Sequence, residues 1–346
     1  MKRFKLTQVF MLMILALAVA AGCTKEGPAG PAGSDGTSGT NGANGTDGKD
    51  GVAGNASCIQ CHTLEYMGQI EEQYAESGHS AGLYVGYAGS RNDCAMCHSH
   101  EGFVETQHTG LDTTAANIPI PTHIQCGTCH SFHETLDFEN DGPDYAIRQN
   151  GPVDLMMYNA EVSLDFGNNS NLCLNCHQPR TAPPTDDGTG TFTIPNTHYG
   201  PHHGPQGTFL QGIGGAEIGV GYPEPGSSSH VQAGCTGCHM HEYAEAEGGH
   251  TWKVPVASCT PCHESATTLD INGKQTEIAG LIEDLKNELM NLGVLDADGH
   301  PVEDTFPLVQ VQAYYNYAGL VDDRSKGVHN PDYIHQLVVN SINAIQ

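Results

Sequence analysis

The chain is poor in positive charge: 13 Lys plus Arg stand against 40 Asp plus Glu, a formal charge of −27 over 346 residues. Nucleic acid is thereby excluded as a partner, because there is no basic surface to displace counterions from phosphates. There is one tryptophan, aromatic residues make up 7% and hydrophobic residues 38%, so the polypeptide alone offers a thin core for its length. Long apolar runs are also missing. The one candidate, Val9 to Ala21, is shorter than the ~20 residues a transmembrane helix needs. Cysteine outside a single recurring pattern is almost absent, since that pattern takes up twelve of the 13.

The pattern is Cys-x-x-Cys-His, present six times: Cys58/Cys61/His62, Cys94/Cys97/His98, Cys126/Cys129/His130, Cys173/Cys176/His177, Cys235/Cys238/His239 and Cys259/Cys262/His263. It is the attachment signature of covalent c-type haem. Two residues between the thiols let both sulfurs reach the two vinyl groups of one porphyrin, and the adjacent imidazole falls onto the iron. A zinc ribbon does not need the histidine, and redox dithiols do not recur six times. Six haem c groups are therefore expected, with His62, His98, His130, His177, His239 and His263 as proximal ligands. Successive first cysteines are separated by 36, 32, 47, 62 and 24 residues, which excludes a solenoid of equal repeats. Haem faces must then supply much of the buried apolar surface, with long irregular segments wrapped around a haem stack and an apoprotein that is largely unfolded.

Twenty histidines leave fourteen after the six proximal ones, enough to give every iron a second imidazole. The distal candidates are His79, after Gly78 at the end of a helical stretch from Leu64 to Glu76 where a glycine cap would turn the chain; His133, three residues beyond His130; His203, from the PHHGP pair with His202; His230; His250 in GGHTW; and His329 in GVHNP. His329 precedes an Asn330 cap and Pro331 at the first helical position. His100, His108, His123, His241, His300 and His335 are the substitutes, and Met156 or Met157 is an alternative at one iron.

The N-terminus reads MKRFK, then the apolar stretch, then Gly22-Cys23, the three regions of an export signal. Val19-Ala20-Ala21-Gly22-Cys23 resembles a lipoprotein cleavage box, with Cys23 lipidated. Thr24, where a retention signal would place aspartate, points to the outer membrane. Cleavage after residue 22 leaves ten basic residues against forty acidic, a formal charge of −30. From Gly27 to Gly54 glycine occupies every third position without a break, a collagen-like segment that makes either a homotrimeric stalk or a flexible spacer. After His263, Ile278, Leu281, Ile282, Leu285, Leu289 and Leu292 follow helical steps up to Gly293. Further helices are expected over about 308–321 and 331–345. The expected organisation is a signal peptide at 1–22, a lipidated terminus at 23–26, the stalk at 27–56, the haem domain at 57–265 and a C-terminal helical segment at 266–346. The fold class is mainly α with much irregular structure, stacked haems forming the core and the C-terminal helices packing on them.

The stretches CAMCHSHEGFV, CGTCHSFH, CLNCHQPR, HHGPQ, CTGCHM, GGHTW and AYYNYAGLVDDRSKGVHNPDY resemble bacterial multihaem cytochromes c. The resemblance covers residues 57 to 345 and lies near the broad grouping that holds cytochrome c-554, ammonia-forming nitrite reductase and the octahaem reductases. It implies haems stacked in alternating parallel and perpendicular pairs, a long C-terminal helical part, and His250 and His329 as distal ligands. The nitrite reductases place lysine after one Cys-x-x-Cys to leave an open iron face, and here all six motifs end in histidine. The reading favours an electron carrier over an enzyme, exported and facing the periplasm or cell surface. Its partners would be other redox proteins or extracellular acceptors. The alternatives are a reductase of nitrogen or sulfur oxyanions or hydroxylamine with one open haem, flanked by Arg180, Tyr199 or His202 and His203, and a subunit of a conductive extracellular assembly.

Overall fold

The computed structural model describes residues 58–59 and 61–346. The expected signal peptide, Cys23 and the Gly-x-y segment lie outside these residues. Six helical segments of ten residues or more are found among the described residues: α1 (Leu64–Ala75), α2 (His100–Thr109), α3 (Ser229–His239, broken at Gly234, φ 60°), α4 (Lys274–Asn291), α5 (Leu308–Asp323) and α6 (Pro331–Ile345). Two short antiparallel ribbons join them, β1 (Val153–Asp154) with β2 (Ser163–Leu164) and β3 (Thr191–Thr193) with β4 (Thr305–Pro307). The rest is one-turn helix, turn and irregular chain, so the mainly helical class with much irregular structure holds. No helix among the described residues is long and apolar enough to cross a membrane.

The aliphatic core lies at the C-terminal end. Ile278, Leu285 and Leu289 of α4, Val311 and Leu320 of α5, and Ile334, Leu337, Val338 and Ile342 of α6 are buried together with Phe209 and Ile194 from earlier in the chain. Each such side chain contributes about 1.5–3 kcal/mol by leaving water. The expected helical faces thus meet one another, although Leu292 stays 36% exposed at the end of α4. Gly293, at φ 73°, takes the left-handed position that ends this helix. Asn330 caps α6, its side chain accepting from Tyr333 N–H, with Pro331 in the first turn. The β4 strand runs directly into α5 and pairs Phe306 with Phe192.

A smaller cluster gathers Val153, Leu155, Met157, Leu164 and Leu174. Met157 is spent there on packing. The segment carrying the first three motifs has no comparable core. Most of the exposed large apolar side chains, among them Ile59, Leu64, Leu83, Tyr84, Ile120 and Phe132, belong to it.

Candidate haem-binding site

In the first four motifs and the sixth, the carbonyl of the first cysteine accepts from the histidine N–H, at 2.8 Å for His62, His177's counterpart being 2.9 Å, and 2.8 Å for His263. The fifth motif forms the same turn as the end of α3. Positions i, i+3 and i+4 of a helical turn share one face, so the spacing alone brings two sulfurs and an imidazole to the same side. The motif cysteines from Cys61 to Cys262 carry free thiols. Among the described residues, no three His, Cys, Asp or Glu side chains converge.

Each motif histidine stands opposite a second histidine distant in sequence. Between ring centres, His62 and His133 are 6.1 Å apart, His98 and His202 6.4 Å, and His130 and His250 6.2 Å. For His177 and His79 the separation is 6.3 Å, for His239 and His329 6.4 Å, and for His263 and His230 6.3 Å. An iron between two imidazoles, with metal–nitrogen bonds of about 2.0 Å and roughly 1.1 Å from nitrogen to ring centre, needs about 6.2 Å. The donor set fits the group.

The tautomers agree. Nδ1 of His130 lies 2.7 Å from the Tyr145 carbonyl, that of His239 2.8 Å from the Trp252 carbonyl, and that of His230 2.6 Å from the Val328 carbonyl. A carbonyl only accepts, so these Nδ1 atoms carry the proton and Nε2 keeps its lone pair for a metal. Nδ1 of His177 meets Gln206 Oε1 at 3.2 Å and that of His329 meets Asp323 Oδ1 at 2.5 Å. Burial, helped by the nearby His177 and His239, pulls His79 down to about 4. Burial likewise lowers His98, His177, His239 and His250. These rings are held neutral, the form that binds metal.

Local structure departs from expectation in two places. The turn before His79 is made by Ser77, whose hydroxyl accepts from Ser80 N–H, and the left-handed glycine is Gly82, not Gly78. In PHHGP the ring opposite His98 is that of His202. His203, the expected candidate, instead points its Nδ1 at Asp322 Oδ1, 3.1 Å away, with 79% of its side chain exposed. Both residues have positive φ, 69° and 48°, and their rings lie 5.3 Å apart at 46°, with that of His202 the one facing His98. Of the other histidines, His100 bonds Thr128, His123 stacks on Tyr74 and His335 meets Glu277. Tyr199 packs in the C-terminal cluster between Phe192 and Tyr314, whereas Arg180 reaches Cys94 Sγ at 4.0 Å and lies near both His98 and His202.

The motifs are neighbours. The thiols of Cys97 and Cys176 touch, as do those of Cys173 and Cys235, and Cys129 lies close to Cys173 and Cys176. Cys238 lies near Cys259 and Cys262. His130 and His133, three residues apart, serve the third and first pairs. The order this gives is first, third, fourth, fifth, sixth, with the second motif branching at the fourth.

No protein-family model matches the chain, and no curated protein does. Among solved structures, the crystal structure of the outer cell wall cytochrome OcwA is similar, at 19% identity and a TM-score of 0.48, over 80% of this chain and 50% of that one. The chain thus spans about half the length of that protein.

Proposed function

We propose that the protein is a hexahaem c-type cytochrome that relays electrons at the cell envelope. The six histidine pairs, all at 6.1–6.4 Å, carry this reading. Haem, when bound, supplies a one-electron ferric/ferrous couple. The chain supplies attachment and ligation. Each motif would hold its haem through its two cysteine S–H groups, each adding across a vinyl double bond to give S–C and C–H bonds with no atom lost. Two imidazoles per iron leave no position for a substrate, which favours a carrier over a reductase. The adjoining motif cysteines support a path running from the first motif to the sixth, with a side branch at the fourth.

Cys23 would anchor the protein by lipid to the outer membrane, and the Gly27–Gly54 segment would lift the cytochrome away from the surface, as a spacer or a homotrimeric stalk. The acidic surface suits a basic redox partner, with extracellular acceptors as a further destination. Mass spectrometry of mature protein made with the attachment machinery is expected to show six intact haems. Electron paramagnetic resonance of the oxidised protein is expected to show low-spin iron throughout. Fewer haems, or a high-spin ferric signal that shifts with nitrite or hydroxylamine, would overturn the reading.

A further inference from the structure

The histidine pairs differ in what stands behind them. Among the described residues, only the His239–His329 pair has a close Nδ1 acceptor on both rings, the Trp252 carbonyl on one side and the Asp323 carboxylate on the other. Asp323 is buried, its side chain 1% exposed, and it sits at the last position of α5. That placement is costly twice over. A carboxylate at a helix C-terminus opposes the helix dipole, and a buried charge needs several partners. Asp323 finds them in His329 Nδ1–H, the Ser325 hydroxyl and the Ser325 N–H at 3.3 Å. Two other carboxylates lie near paired rings: Asp144, 3.7 Å from His133, accepts mainly from backbone N–H groups, and Asp322 acts on His202 through space while bonding the adjacent His203.

The connection from α5 to α6 is built to hold this contact. Arg324 and Lys326 both adopt left-handed backbone, at φ 60° and 52°, and Gly327 at φ 93° lies so close to Ile278 that a Cβ there would sit 3.0 Å from its Cγ1. Backbone strain at non-glycine residues persists only where the surroundings fix it. Ser325 Oγ also receives the His329 N–H at 3.3 Å, so one hydroxyl links the carboxylate to the backbone of the ring it holds.

We propose that Asp323 is a positioning and tuning residue that lowers the reduction potential of the iron held by His239 and His329. This rests on the hexahaem reading and deepens it. A carboxylate accepting the Nδ1 proton makes the imidazole a stronger donor through Nε2, and so favours ferric over ferrous iron at that site. The negative charge acts in the same direction, and burial leaves it weakly screened. The site lies between the fourth and sixth motifs, so a low potential there makes it the step that electrons cross least readily, separating the sixth haem from the first four.

The test is a potentiometric titration of the holoprotein, followed by electron paramagnetic resonance, for the wild type, Asp323→Asn and Ser325→Ala. Asp323→Asn keeps an acceptor but removes the charge; it is expected to move one of six midpoints upward and change the g-values of that one low-spin signal, with the other five unmoved. Ser325→Ala takes a donor from the carboxylate and is expected to move the same midpoint downward. If all six haems are present and low-spin but neither variant moves a midpoint, the tuning role is wrong and the relay stands. If His329→Ala leaves every low-spin signal intact, His329 is not a ligand; the pairing and the tuning role then fail together.

Discussion

Replacing His202 by alanine removes the ring that stands 6.4 Å from His98, whereas replacing His203 removes a mostly exposed ring bonded to Asp322. The two residues are adjacent and chemically identical, so the comparison isolates position. One pair of six is broken in His202→Ala, and about one sixth of the low-spin ferric intensity is expected to become high-spin. The neighbouring pairs should be untouched, because each uses its own two histidines. His203→Ala loses only a surface ion pair, worth about 0–1 kcal/mol, and should keep all six low-spin signals. The assay is spin quantification by electron paramagnetic resonance on protein shown by mass to carry equal haem. A high-spin signal from His203→Ala with an unchanged His202→Ala spectrum would refute the assignment of the PHHGP pair and the use of ring-centre separation as a guide to ligation.

In the C-terminal core, Leu337→Ala creates a cavity at a fully buried position and is expected to cost about 2–5 kcal/mol, read as a lower denaturant midpoint by circular dichroism; a change under 1 kcal/mol would sink the placement of the core in α4–α6. Burial holds the His79 ring neutral down to about 4 and binding iron would hold it neutral further still, so from pH 6.5 to 4 the unfolded chain takes a proton that the folded ring refuses. Stability is therefore whole above that window and declines as pH falls through it, and denaturant midpoints that stay level from pH 7.5 to 4.5 would contradict this. For the Gly27–Gly54 segment, sedimentation of protein with and without residues 27–54 should give a trimer and a monomer if it winds with two other copies, and two monomers if it is only a spacer.

What could be read from the sequence was what is local. The six motifs are i, i+3, i+4 patterns on single turns, and Ile278 through Leu289, the Asn330 cap and Pro331 declare their helices by short-range rules. The pairing of histidines is not local. The sequence offered fourteen non-motif histidines for six positions, and nothing in PHHGP tells which ring faces His98, since that is decided by the surrounding chain. Asp323 was illegible for a related reason. In VDDRSKGVH it reads as an acidic helix end beside Asp322, and only tertiary burial separates this carboxylate, its side chain 1% exposed, from its neighbour.

The long range of the pairing bears on how such a chain stays folded with so little aliphatic core around its first three motifs. Partners lie 71 residues apart for His62 and His133, 104 for His98 and His202, 120 for His130 and His250, 98 for His79 and His177, 90 for His239 and His329, and 33 for His230 and His263. On the hexahaem reading, a covalently attached iron gripped from both sides would be a cross-link. In the chain-entropy model, closing a loop of such length removes roughly 3–5 kcal/mol of unfolded-state freedom, by analogy with a disulfide. The loops interleave, the first spanning the start of the second and third, so the links constrain one another. Five of the six tie together segments far apart in the chain, and one of these fastens the aliphatic bundle, through His329 at the head of α6, to the motif at the end of α3. The C-terminal helices would thus serve as the rigid end of a network whose other end is held by ligation, and their hydrophobic core keeps the His329 imidazole in register with a motif ninety residues before it.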